Sequence, residues 1–197
     1  MVEIDIPMPT PAPIGRESAV SWPAIFAGAV VAVAVGLILT LLAAGFGLAL
    51  GFPGLSTQAS LQAFTPELGA TAVAIQVICG ALAGYLAGRL RTVWLQAHDD
   101  EAHFRDTAHG LIAWALATVG AVVLAVTVLG PYADHLAGEM APSVRLTPDQ
   151  ALRATNIAAQ AAFFTAVGML LSAFVAAVAA RLGGMQAEGM HRRFIGR

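Results

Sequence analysis

The segment Cys79-Gly80-Ala81-Leu82-Ala83-Gly84-Tyr85-Leu86-Ala87-Gly88-Arg89-Leu90 decides the fold. Its three glycines follow one another at four-residue steps inside an apolar run that ends at an arginine. Residues four apart share one face of a helix, so these glycines predict a smooth groove on which a second helix can pack closely. In water each glycine would cost roughly 1 kcal/mol relative to alanine. Close helix packing in lipid compensates for that cost, and the pattern therefore favours a membrane helix.

The composition is that of a membrane protein. The chain has 197 residues, of which 58% are hydrophobic and 11% charged, and its mean hydropathy is +0.76. These values lie outside the range of soluble globular domains. The formal net charge is −2 and the sequence has no dense basic cluster, so no nucleic-acid partner is expected. Cys79 is the single cysteine, and its apolar neighbours predict a small buried side chain.

Apolar runs and helix-start signals predict an all-α membrane protein with four transmembrane helices, at about residues 21–51, 65–91, 108–130 and 147–182. The second and fourth helices begin alike, at Thr65-Pro66-Glu67 and Thr147-Pro148-Asp149. In both, a hydroxyl caps the helix and proline occupies the first turn. Residues 1–20 contain several prolines and predict a mobile arm. Residues 183–197 predict a basic tail.

The distribution of arginine predicts the orientation. All ten basic residues are arginine. Eight of them lie in the arm, around the loop between helices 2 and 3, or towards the tail, against two on the opposite side. The positive-inside rule then places both termini and the middle loop in the cytoplasm. The tail also suits an anionic lipid surface.

The two halves of the chain resemble each other. Stepping back from Arg89 and from Arg181 pairs Gly80, Gly84 and Gly88 with Ser172, Ala176 and Ala180. We therefore expect two tandem helical hairpins of the same orientation, packed through small-residue faces. The register between helices 1 and 3 stays open. Helix 4 is longer than helix 2, and roughly 15 Å of it is expected to project or to be kinked.

The helix-packing prediction rests on small residues at four-residue steps. It comprises Gly28, Gly36, Gly80, Gly84, Gly88, Ser172, Ala176 and Ala180. Polar residues within the predicted spans, such as Gln76 and Thr118, are interpreted as interhelical hydrogen-bonding groups. A role in lining a path for a solute is the alternative.

No sequence motif for a catalytic nucleophile, nucleotide phosphate or paired cysteine site is present, so we expect no enzyme activity and no cofactor. The loop after helix 2 gathers possible metal ligands, namely His98, Asp99, Asp100, Glu101, His103, Asp106 and His109. Their spacing does not match a metal motif, so a solvated polar hairpin is favoured. Arg89, Asp106 and His109 fall at matching levels of helices 2 and 3. They predict either a charge-assisted contact or a solvent-separated set.

Short motifs resemble a family of small bacterial inner-membrane proteins often labelled PhnA-like. The matching residues are Ser21-Trp22, Ala27-Gly28, Gly45, Gly47, Gly84, Ala87-Gly88-Arg89-Leu90, Asp106, His109-Gly110 and Trp114-Ala115. The resemblance covers helices 1 to 3 and the middle loop. It implies a bacterial inner-membrane location and carries over no activity. The acidic, histidine-bearing loop and the extended helix 4 depart from the family pattern.

The function expected from these features is that of a non-catalytic membrane subunit. Its small-residue faces would associate with itself or with a larger membrane complex, in contact with membrane lipid. The alternative is a passive channel or carrier for a small neutral solute, along Gln76, Gln160 and Asn156. A metal-binding or redox role for residues 98–109 is less favoured.

Overall fold

A computed structural model describes residues 20–50, 65–92, 99–131 and 147–195. Within these ranges the chain forms four helices: α1 (Trp22–Leu50), α2 (Pro66–Arg89), α3 (Asp99–Leu124) and α4 (Pro148–Ile195). A π-helical segment, Ala125–Leu129, continues α3. Each helix is long and apolar enough to cross a membrane. The protein is an all-α membrane protein whose four transmembrane helices form two tandem hairpins.

The predicted start signals cap α2 and α4. Thr65 accepts a hydrogen bond from the Leu68 backbone N–H at 3.4 Å, and Pro66 occupies the first turn. At α4 the Thr147 N–H donates to Gln150 Oε1 at 2.9 Å, while the Gln150 N–H donates to Thr147 Oγ1 at 3.3 Å. This reciprocal arrangement is a capping box, which satisfies backbone donors that the helix itself leaves unpaired.

The centre of the fold is the contact between α2 and α4. A Cβ added at Gly80 would collide with Ser172, one at Gly84 with Ala176, and one at Gly88 with Ala180. The three pairs keep the same sequence offset, so the two helices run parallel and in register. The glycine face and its predicted counterpart in the second hairpin therefore pack directly against each other.

α1 and α3 flank this central pair. Gly28 of α1 lies against the backbone of Ala83 and Ala87, and Gly110 of α3 lies against Ala176 and Ala180. Each hairpin therefore packs through one glycine of its first helix against small residues of its second helix. The contacts relate Gly28 to Gly110, which is the register that the sequence left open.

The buried residues concentrate at one end of the bundle. We call this the closed end, and it contains Ser21, Arg91 and Glu188; the open end contains Phe46, Thr65 and Thr147. Ile25, Ala83, Ala87 and Ala113 are fully buried in the closed half. Towards the open end, by contrast, α3 exposes a run of valines, among them Val119 and Val126.

Two predicted boundaries are wrong. α3 begins at Asp99 rather than near 108, and α4 continues to Ile195 rather than ending at 182. The charged residues after Asp99 are compatible with a helix, and Glu101 pairs with Arg105 one turn later. No proline interrupts the chain between 182 and 195. Most of the predicted tail is therefore helical, whereas residues 1–19 of the predicted arm lie outside the described part.

α4 is far longer than a bilayer requires. Its 48 residues span roughly 72 Å, against a hydrocarbon layer of about 30 Å. Gly69, near the start of α2, lies at the level of Phe164. α4 therefore projects roughly 20 Å beyond α2 at the open end, in line with the projection expected from the sequence.

Candidate functional site

A buried ion-pair cluster joins three helices at the closed end. Arg91 follows the last turn of α2, Asp106 lies on α3, and Glu188 lies on the extension of α4. Arg91 contacts Asp106 through two nitrogens: Nε pairs with Oδ1, and Nη2 donates to Oδ2 at 3.0 Å. Nη2 also donates to Glu188 Oε1 at 2.8 Å. Arg91 and Asp106 are 4% and 1% exposed, so both charges are removed from solvent and depend on each other.

The local chain path explains this cluster. α2 ends at Arg89, and Leu90 closes its last turn by donating its N–H to Leu86. Arg91 therefore leaves the helix and turns inwards. On α4, a Cβ at Gly184 would collide with the Asp106 carboxylate, so glycine makes the room that the carboxylate occupies.

The pKa of Arg91 lies above its usual value. Burial by itself lowers the pKa, and the hydrogen bonds and charges of Asp106 and Glu188 more than reverse that effect. Arg91 therefore remains a cation, and its charge attracts the carboxylates of Asp106 and Glu188 at this end of the bundle.

His109 links the beginning of α1 to α3. The Ser21 backbone N–H donates to His109 Nε2 at 2.9 Å, and Nδ1 lies 2.6 Å from the carbonyl oxygen of Arg105. This pattern matches a neutral imidazole with its proton on Nδ1. His109 is 2% exposed. His109 therefore anchors the start of α1 to α3, the helix that also carries Asp106.

Sequence reasoning identified Asp106 and His109 at this end of the bundle and missed Arg91 and Glu188. Asp106 and His109 were predicted at this level, and both are buried here. The arginine is Arg91, however, and not Arg89; in the described part of the chain Asp106 forms its ion pair with Arg91. Glu188 was missed because it fell in the predicted tail. Its spacing from Gly184, one helical turn, becomes meaningful only once α4 is known to continue.

The histidine and acidic residues do not gather into a metal site in the described residues. No group of three or more His, Cys, Asp or Glu side chains there is placed to hold a metal ion. His98 lies outside the described residues.

A second feature is an apolar cavity of about 470 Å³ between the helices. Its walls are small or aliphatic side chains from α1, α2 and α3, including Ala32, Gly36, Cys79, Ala117 and Ala121. Met169 and Ser172 of α4 close one side. The cavity arises because α1 and α3 meet at buried Ala32 and Ala113 and leave a gap towards the open end.

The polar residues of the cavity wall differ in their hydrogen bonding. Ser172 Oγ donates to the Gln76 backbone carbonyl at 2.7 Å, and Thr40 and Thr118 donate to Gly36 and Trp114 of their own helices. Within the described structure Gln76 Oε1 is buried without a hydrogen-bond partner. The amide of Gln76 is thus a polar group of the wall with unused hydrogen-bonding capacity.

The predicted solute path is only partly assembled. Gln76 lines the cavity, whereas Asn156 and Gln160 are exposed on α4 and do not line it.

The predicted helix-packing glycines lie in two kinds of place. Gly28 and the three glycines of α2 lie in helix contacts, while Gly36 borders the cavity, close to the Cys79 sulfur.

Comparison with known proteins returns no relative. No family model, no curated protein and no solved structure matches the chain. Function must therefore be argued from the residues and their geometry.

Proposed function

We propose that the protein is a non-catalytic integral membrane subunit that associates with a second copy of itself through the outer face of α4. The face, here called the α4 seam, consists of Leu152, Asn156, Ala159, Phe163, Ala166 and Leu170. These residues alternate four- and three-residue steps, which is the heptad spacing of helices that pair as coiled coils.

The exposure of the seam is the observation that carries the proposal. Leu152, Phe163 and Leu170 are 63%, 67% and 74% exposed, and the three residues between them are exposed as well. The seam lies opposite the Ser172–Ala176–Ala180 face, which is occupied by α2. Phe163 lies between Ala159 and Ala166 along it, so a large side chain of one helix can enter the space beside the small residues of the other.

Asn156 favours a second copy as the partner. Copies of a membrane protein insert with one orientation, so two α4 helices meet in parallel and the two Asn156 side chains face each other. A single asparagine at such a position specifies register in parallel coiled coils.

The proposed association surface lies on α4, whereas the sequence led us to expect one on the small-residue faces. The glycine face of α2 was expected to serve association, but it is filled by α4 of the same chain. Replacement of Gly84 is therefore expected to disturb the fold of one copy before it affects assembly.

The proposal includes the membrane in which the protein lies and its orientation there. We place the protein in the bacterial inner membrane with its closed end in the cytoplasm. The support is the excess of arginine at that end together with the PhnA-like motif residues around Gly28, Arg89 and His109.

The test is the oligomeric mass of the purified full chain. Ala159→Trp places a bulky ring in the seam and is expected to weaken dimerisation about tenfold or more, since tenfold corresponds to about 1.4 kcal/mol. Native mass spectrometry from mild detergent, over a range of protein concentrations, measures the dimer fraction. Circular dichroism checks that the helical content is retained.

Ala158→Trp is the matched control. Ala158 is equally exposed but lies off the seam, so this variant should dimerise like the unaltered protein. A chain that stays monomeric at all concentrations, or two variants that behave alike, would contradict the proposal. If Ala159→Trp alone released a different protein subunit, the partner of the seam would be a larger complex and not a second copy.

A further inference from the structure

The cavity lies deep in the membrane-spanning part of the fold. Gln76 is near the middle of α2, which runs from Pro66 to Arg89 and is among the helices able to cross a membrane. At a rise of about 1.5 Å per residue, Gln76 lies roughly 15 Å from the start of α2. The space beside it is therefore surrounded by hydrocarbon on the outside and by aliphatic walls within.

The size of the cavity is that of a ligand pocket. About 470 Å³ falls within the range of about 300–1,000 Å³ that is typical of small-molecule sites. The wall is mainly alanine, valine, leucine and glycine, so an occupant must be mostly hydrocarbon. A neutral polar solute would lose its hydration and regain few hydrogen bonds.

The side chain of Gln76 offers a polar group to the occupant. The hydroxyls of Thr40, Thr118 and Ser172 already donate to backbone carbonyls. Gln76 Oε1 has no such partner in the described structure; it lies against Gly168 of α4, so the amide must turn about its terminal torsion for the oxygen to face the cavity. The terminal torsion of glutamine is soft, and a hydroxyl group can either donate to its oxygen or accept from its nitrogen.

We propose that the cavity binds a hydrocarbon that carries one hydroxyl group and is dissolved within the bilayer, with the hydroxyl paired to Gln76. The depth of Gln76 argues against the glycerol backbone of a phospholipid, because lipid headgroup regions lie at the membrane surface. The site is separate from the α4 seam, which faces outwards and contributes no residue to the cavity wall. Its occupancy therefore does not depend on dimerisation.

Photo-cross-linking of the full-length protein in phospholipid nanodiscs tests the site. The probe is hexadecanol with a diazirine in its chain, and mass spectrometry maps the labelled residues. We expect labelling at wall residues such as Ala117 and Ala121 to exceed labelling at lipid-facing Val119 and Val123. Uniform labelling of all these positions would mean that the probe remains in bulk lipid, and the proposal would fail.

Competition identifies the hydroxyl contact. Unlabelled hexadecanol should displace the probe about fivefold better than hexadecane, the advantage expected for one hydrogen bond of about 1 kcal/mol. Gln76→Leu should remove that difference while leaving displacement by hexadecane in place. Equal competition by both compounds in the unaltered protein would refute the pairing with Gln76. Failure of both compounds to displace the probe would refute the choice of ligand.

A pair of variants on α3 separates filling of the cavity from general damage. Ala121→Leu extends into the cavity and should reduce wall labelling several-fold. Ala115→Leu makes the same change at an exposed position outside the wall and should leave labelling unchanged. The same loss in both variants would show that the cavity is not the binding site.

Discussion

At the Arg91–Asp106 pair, two charged side chains are buried at the end of an otherwise apolar bundle. Such a pair adds little stability relative to apolar side chains that would fill the same space, because both ions have lost their hydration. Removing one partner is costly, since the other charge then remains buried. Glu188 offers Arg91 a second carboxylate, but it is 29% exposed and lies at the rim. The pair therefore holds α3 to the end of α2, and Glu188 adds a contact from α4.

Asp106→Ala is expected to lower the stability of the protein by about 3 kcal/mol, because Arg91 would keep only its rim partner. Unfolding of the purified protein in mixed micelles, followed by circular dichroism, measures the change. Glu101→Ala is the control: it removes an exposed pair with Arg105 and should cost no more than about 0.5 kcal/mol. A loss for Asp106→Ala as small as the control's would show that the buried pair does not clamp the helices.

At the scale of the helices, the fold depends on how closely α2 and α4 approach. The Ala176 carbonyl occupies the place where a side chain at Gly84 would begin. Backbone atoms cannot move aside as the tip of a flexible side chain can, so the helices themselves would have to separate. This explains why helix α2 tolerates three glycines in its second half.

Gly84→Ala is expected to destabilise the protein by about 1–3 kcal/mol through overpacking. Gly45→Ala is its matched control on α1, because nothing lies within 4 Å of the added Cβ there. That change should be neutral or stabilising by up to about 1 kcal/mol. Thermal unfolding of both variants in the same detergent distinguishes them, and equal melting temperatures would contradict the proposed close approach.

For the molecule as a whole, four spanning helices bring the start of α1 and the end of α4 to the closed end. That end also carries Arg91, Asp106 and Glu188. The closed end is closely packed, and the cavity lies towards the opposite half of the bundle. The long α4 extends beyond α2 on the open side and carries the proposed dimer seam.

The orientation leads to a prediction for the whole chain. A fluorescent protein fused after Arg197 should fold and fluoresce in the cytoplasm, whereas alkaline phosphatase inserted within residues 132–146 should be active outside it. The excess of arginine at the closed end is the reason. Cells that express each fusion give the readout. The opposite pattern of activities would reverse the proposed orientation.

Local chemistry explains which parts could be predicted. The starts of α2 and α4 were recognisable because Thr65 and Thr147 act on backbone groups a few residues away. The start of α3 at Asp99 and the end of α4 at Ile195 were not recognisable, because charged residues permit both a helix and a loop. The choice of Arg91 over Arg89 depends on where α2 ends and the chain turns, which neighbouring residues alone do not decide.

The amino-acid sequence by itself determined the four apolar spans, the caps of α2 and α4 and the small-residue faces, since each depends on hydropathy or on spacing within one helix. Only the tertiary structure decided which faces meet. Stripes of small residues occur on several helices, and any two could pack by size alone. The pairing of Gly84 with Ala176 and the burial of Arg91 with Asp106 depend on all four helices together. The cavity has the same origin, because it exists only where α1 and α3 leave space between them.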